Sequence, residues 1–85
     1  MTYVFSQHAL DQMKARAISE ETVESILVNP DQIMTHEDLT VFQGLEKRDK
    51  TFFLIRVFVN MRKTPNVVVT VYRTSKIDKY YENKI

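Results

Sequence analysis

Asn66-Val67-Val68-Val69-Thr70-Val71-Tyr72-Arg73-Thr74-Ser75-Lys76-Ile77-Asp78-Lys79-Tyr80-Tyr81 is the stretch that decides how this chain folds. Val67 to Tyr72 is a run of β-branched and aromatic residues, too continuous for a strand with one wet face and short enough for a strand buried on both. It predicts a central strand. Arg73, Thr74, Ser75 and Lys76 then place cationic and hydroxyl groups where the strand leaves the sheet, and a short terminal helix is expected from about Ser75 to Tyr81.

Upstream, the pattern is a meander. Asn60 to Pro65 reads as a turn, preceded by Thr51 to Val59, a long apolar run broken only by Arg56. Lys47, Arg48, Asp49 and Lys50 form a charged hairpin tip, and Leu39 to Leu45 alternates as a strand, with Gly44 a candidate bulge. Gln32 to Thr35 predicts a short edge strand. Before Pro30 the period changes to that of helices. Ser6 caps a first helix over Gln7 to Arg16, with Phe5 and Leu10 spaced as a hydrophobic staple and Ala9, Leu10, Met13 and Ala17 on its dry side. Ser19 caps a second, with Ile18 and Val23 as its staple, Glu20 and Glu21 in the first turn, and Asn29-Pro30 at its end. Met1 to Phe5 is either a short first strand or an extended lead-in. The expected class is α+β: two N-terminal helices packed on a three- or four-stranded antiparallel meander sheet with a short C-terminal helix, one domain over residues 1–85.

Parity sorts the expected sheet faces. Phe53, Ile55, Val57 and Val59 with Val67, Val69 and Val71 form an apolar set for the helices to cover. Phe52, Leu54, Arg56 and Phe58 with Val68, Thr70, Tyr72 and Thr74 form a mixed set, open to a partner or closed into a second small core.

A composition of 44% hydrophobic and 27% charged residues, with one Gly and two Pro, excludes disorder and low complexity. Lacking cysteine, the chain has neither disulfides nor thiolate-bound zinc. No apolar run approaches the roughly 20 residues of a membrane span, and the N-terminus has no signal-peptide pattern, so the expected address is cytoplasmic with no membrane partner. The net charge of +1 hides an asymmetry: residues 1–46 hold two basic and eight acidic side chains, residues 47–85 ten basic and three acidic. A basic half on a near-neutral chain suits a polyanion, unless its lysines are merely solvated loop residues.

Phe5-Ser6-Gln7-His8-Ala9-Leu10, then Met13, Arg16 and Ile18-Ser19-Glu20-Glu21, with Asn29-Pro30, resembles the opening of a bacterial domain family of unassigned function grouped with RelE-like and BrnT-like toxins. Val68-Val69-Thr70-Val71-Tyr72 and Thr74-Ser75-Lys76-Ile77, with Lys79-Tyr80, resemble its closing strand and tail. One departure is Ala17, where such sequences typically carry glycine. The resemblance implies a RelE-like fold and the toxin of a type II toxin–antitoxin system, a metal-independent endoribonuclease that cleaves mRNA, on the ribosome or free, and is neutralised by a cognate antitoxin protein.

Metal-free RNA cleavage needs a base for the 2′-hydroxyl proton, cations for the phosphorane, and an acid for the 5′-oxygen. His8 is the candidate base, or else a histidine that hydrogen-bonds the adjoining loop. Arg16, two turns on, either joins it in a polar ridge or caps the first helix. Arg56 and Arg73 are the candidate phosphate ligands, guanidinium being permanently charged and bidentate. RNA binding is assigned to Lys47, Arg48, Lys50, Tyr72, Lys76, Lys79 and Tyr80, and partner binding to Phe52, Leu54 and Phe58. The competing expectation is a non-catalytic or degenerate module of the same fold that binds an antitoxin or gyrase, or forms a homodimer through the mixed sheet face. No cofactor or metal is expected: His36-Glu37-Asp38 has no metal-ligand spacing, one glycine excludes a phosphate-cradling loop, and Ser75 lacks triad partners.

Overall fold

Both helices start where their serines predict. In a computed structural model describing residues 3–82, the elements are β1 (Tyr3–Phe5), α1 (Gln7–Ala15), α2 (Glu20–Val28), β2 (Gln32–His36), β3 (Leu39–Arg48), β4 (Thr51–Asn60), β5 (Asn66–Thr74) and α3 (Ile77–Tyr80). Ser6 Oγ accepts from the Ala9 amide at 3.0 Å and Ser19 Oγ from the Thr22 amide at 3.1 Å. Each satisfies a donor the first helical turn leaves free.

The strands form one mixed sheet in the order β1-β5-β4-β3-β2, antiparallel except that β1 pairs parallel to β5. The α+β arrangement is therefore the expected one, widened to five strands by Tyr3–Phe5; Met1 and Thr2 of the expected lead-in lie outside the described residues. Three residues are too few to show a period, so β1 exists only because β5 offers it an edge. Among the described residues no helix is long and apolar enough to cross a membrane.

The expected face assignment of β5 is corrected at one point. Phe58 pairs with Thr70 but Val59 with Val68, so Val69 is the extra residue of a bulge and the parity reverses there. Val68 and Val71, not Val67 and Val69, join Ile55, Val57 and Val59 in the core with Ala9, Met13, Val23, Ile26 and Leu27. Ser6 fixes the bulge, its amide donating to the Val68 carbonyl at 2.9 Å and its hydroxyl to that of Val69 at 3.2 Å. Gly44 is no bulge. It pairs in register with Ile55, and a Cβ there would lie 3.1 Å from Ile26 Cγ1, so glycine lets α2 close on β3.

Between the helices Ala17 adopts φ 54°. The Ile18 amide donates to the Met13 carbonyl at 2.8 Å and the Ala17 amide to that of Lys14 at 3.3 Å, the paired bonds of a left-handed helix end. Alanine is strained there where glycine is not. Ala17→Gly is expected to raise the unfolding free energy by about 0.5–1 kcal/mol, read as a higher urea midpoint at unchanged slope; an unchanged or lower midpoint would count against this account of the corner.

Candidate nucleic-acid interface on the far sheet face

The side of the sheet away from α1 and α2 carries a second small core. Val41, Leu54 and Phe58 are buried there, and among them sit two polar side chains, Gln43 at 0% and Arg56 at 7% exposure. Arg56 Nε donates to Gln43 Oε1 at 2.9 Å, Nη1 to the Tyr72 hydroxyl at 2.7 Å, and Nη2 contacts Met34 Sδ at 3.6 Å. All these partners are neutral. The charge is balanced instead by aromatic faces: the guanidinium carbon lies 4.4 Å from the Tyr80 ring centroid, 5.2 Å from that of Phe58 and 5.8 Å from that of Tyr72.

The C-terminal segment completes the site by folding across this face. β5 ends level with Leu54, which pairs with Thr74, and α3 turns back over the sheet. Gln43 Nε2 donates to the Tyr80 carbonyl at 3.1 Å and to Gln32 Oε1 at 2.8 Å. Gln32 Oε1 accepts from the Glu82 amide at 3.0 Å, and Gln32 Nε2 donates to the Glu82 carbonyl. Tyr80 packs edge-on to Tyr72 at 6.4 Å, Tyr72 stacks on Phe58 at 5.8 Å, and exposed His36 meets Phe58 edge-on at 5.9 Å. Lys79 Nζ lies 5.2 Å from the Tyr80 ring centroid. A hydrogen bond from Lys79 holds the Tyr80 phenol below the usual tyrosine range; burial opposes this, and the Lys79 charge, a hydrogen bond from Tyr72 and the Arg56 charge add to it. The result is an accessible, acidified phenol over a buried cation.

The expected catalytic set does not come together. Strand alternation puts Arg73 on the same side as Val71, opposite to Arg56. Its Nη1 donates to the Arg16 carbonyl at 2.7 Å and its Nε pairs with Glu46 at 2.9 Å. Arg16 Nη1 donates to the Val71 carbonyl at 3.3 Å, and Gln12 Oε1 accepts from the Val71 amide at 3.0 Å. Beyond β1 the outer edge of β5 has no strand partner among the described residues, and these α1 side chains bond to it at Val71. Both arginines are thus structural. His8 is exposed on α1, and α1 packs on the side of the sheet opposite Arg56. The sheet separates the imidazole from Arg56, and a cleavage centre made of His8, Arg16, Arg56 and Arg73 is dropped.

The partner-binding expectation is corrected as well. Leu54 and Phe58 are 0% and 8% exposed, covered or packed by the chain's own residues, leaving only Phe52 of that trio available. Of the expected RNA-binding residues, Tyr72, Lys79 and Tyr80 meet around Arg56. Lys76 is exposed just before α3, and Lys47, Arg48 and Lys50 are exposed at the β3–β4 hairpin, whose Lys47–Phe52 pair lies four residues along β4 from Arg56, about 13 Å. Gln43 and Gln32 escaped the sequence reading. The one signal was parity: Gln43 shares the far face with Arg56, a second polar residue in an otherwise apolar layer.

A family model described as a domain of unknown function, DUF4258, matches residues 5–73, from the α1 entry to the end of the arginine-bearing strand and short of α3. Comparison with curated proteins and with solved structures gives no match. With most of its length covered, the chain belongs to the DUF4258 family.

Proposed function

We propose that this chain is an RNA-cleaving toxin of the RelE/BrnT-like kind, acting in the cytoplasm and restrained by an antitoxin, whose working surface is the far sheet face rather than the helix side. The observation that carries this reading is the gathering of Tyr80, Lys79 and Tyr72 around Arg56, with Lys79 Nζ 5.2 Å and the Arg56 guanidinium 4.4 Å from the Tyr80 ring centroid. In the reaction Tyr80 as phenolate takes the 2′-hydroxyl proton and the 2′-oxygen attacks phosphorus. The P–O5′ bond breaks and the 5′-oxygen takes a proton from water, leaving a 2′,3′-cyclic phosphate and a 5′-hydroxyl. Lys79 stabilises the phosphorane charge, and half-buried Tyr72 stands beside Tyr80 where a base would stack. Charge distribution supports the same face: α1 and α2 carry Asp11, Glu20, Glu21 and Glu24, while Lys47, Lys76 and Lys79 belong to the hairpin and the C-terminal segment.

The test is cleavage of a synthetic transcript without metal, followed across pH. Loss of the Lys79 charge in Lys79→Gln disfavours the phenolate, so the Tyr80 pKa rises and less of the base is present at any given pH. The ascending limb of the pH–rate profile, where deprotonation of Tyr80 raises the rate, is expected to move to higher pH, with a slower rate at neutrality, whereas His8→Ala leaves the profile in place. A profile that moves with His8 and not with Lys79 would overturn the assignment.

A second reading, a non-catalytic module that binds its partner through this face, is favoured by one observation: every Arg56 nitrogen already has a contact within the chain. Growth arrest on expression with intact transcripts would select it.

A further inference from the structure

The β3–β4 hairpin outruns the rest of the sheet. β2 begins opposite Gln43 and β5 ends opposite Leu54, so beyond Leu45 on β3 and before Leu54 on β4 the two strands continue alone as a ribbon to the turn at Asp49, where φ is 55°. That ribbon holds Lys47, Arg48 and Lys50 against one acid at the tip, Asp49; Glu46 is engaged with Arg73 on the other side. Phe52 is 51% exposed, lies by parity on the Arg56 side, and has Lys47 Nζ 5.9 Å from its ring centroid. Half its surface stays open among the described residues, so burial in a core does not explain a phenylalanine there.

An exposed ring flanked by cations is the arrangement that holds an unpaired nucleotide, the base stacking on the ring and the phosphates meeting the ammonium groups. The geometry points to the hairpin as a second subsite for single-stranded RNA, with Phe52 the stacking platform, and Lys47 beside it and Lys50 at the turn the phosphate contacts; Arg48, paired with Thr51, lies by the same parity on the opposite side of the ribbon. It rests on the reading of the far face as an RNA surface. β5 ends level with Leu54, between the levels of Phe52 and Arg56 along β4, and exposed Lys76 follows it two residues on. The ligand is single-stranded because a ring offered in isolation rewards a splayed base, which a duplex does not present. A separation of about 13 Å is roughly two steps of an extended single strand, so a dinucleotide occupies the Tyr80 site without reaching Phe52.

The experiment measures binding of fluorescent oligouridylates two and twelve nucleotides long to the full chain at several salt concentrations. Phe52→Ala is expected to weaken the 12-mer about tenfold and leave the dinucleotide unchanged. A Lys47→Gln, Lys50→Gln variant should flatten the 12-mer's salt dependence by roughly two charges' worth of slope. An unchanged 12-mer affinity in Phe52→Ala, an equal loss at both lengths, or a 12-base-pair duplex that binds as tightly as the 12-mer would overturn the subsite. Length-dependent binding through Phe52 without cleavage by the parent protein sustains the subsite and defeats the catalytic reading. Cleavage indifferent to Phe52 at both lengths does the reverse.

Discussion

Arg56→Ala is expected to lower the unfolding free energy by about 3 kcal/mol, a shift in melting temperature of roughly 15 °C for a domain of this size. The magnitude follows from position. Truncation removes a buried side chain that fills the space between Phe58, Tyr72 and Tyr80, and it leaves Gln43 Oε1 without its donor where no water reaches. Against a total stability of about 5–10 kcal/mol the loss is a large fraction. Lysine does not rescue it, having no fork to hold Gln43 and Tyr72 together. The paired change Arg56→Met, Gln43→Leu should cost less than Arg56→Ala alone, because it removes the buried Gln43 oxygen that truncation strands, leaving only the Tyr80 carbonyl short of the Gln43 donor. Urea unfolding of the three proteins checks this. A double variant as unstable as the single one would mean that shape, not hydrogen bonding, fixes the site. A double variant that folds but neither binds nor cuts RNA would show the cation to be kept for function.

Tyr80→Phe is expected to reduce the RNA cleavage rate by about 10²- to 10³-fold while leaving the unfolding midpoint where it was, the range a single proton-transfer group supplies. The ring that stacks over Arg56 remains and only the phenolic oxygen is lost, so the aromatic contacts that hold the C-terminal segment are preserved. Tyr72→Phe is the useful companion: it deletes the Arg56 Nη1 acceptor and should shift stability by about 1 kcal/mol with a smaller kinetic effect. Single-turnover rates at saturating protein separate the two. Equal rates for Tyr80→Phe and the parent would place the base elsewhere.

Much of this fold was legible because the deciding signals are local. Ser6 and Ser19 cap within their own turn, the staples span five residues, and strand alternation is read one residue at a time. The bulge at Val69 was not legible: in Val67-Val68-Val69-Thr70 every side chain suits a strand, and the slip is imposed by Ser6 and the short parallel β1. The sites divide the same way. Arg56 stood out as a charge inside an apolar strand, and Lys79-Tyr80 as a basic–aromatic pair. What stayed hidden was what each cation of the helix side is bound to. Arg73 has the parity of Val71 and pairs with Ile55, so alternation alone puts it on the helix side, but its bonds to Glu46 and the Arg16 carbonyl, and the turn of Arg16 to the Val71 carbonyl where β1 is too short to cover that edge, are contacts between distant parts of the chain. Composition and spacing do not carry those contacts. Leu54 and Phe58 looked open for a similar reason, since a four-residue helix gives too little periodicity to show that it returns across the sheet.

The most direct test of the far face as the working surface is an amide chemical-shift titration of the protein with a single-stranded oligoribonucleotide. The account predicts perturbations at Tyr72, Lys76, Lys79 and Tyr80, with the Gln43 side-chain amide responding and His8, Arg16 and Arg73 silent. Perturbations gathered on α1 around His8, with the Tyr80 region unmoved, would contradict it.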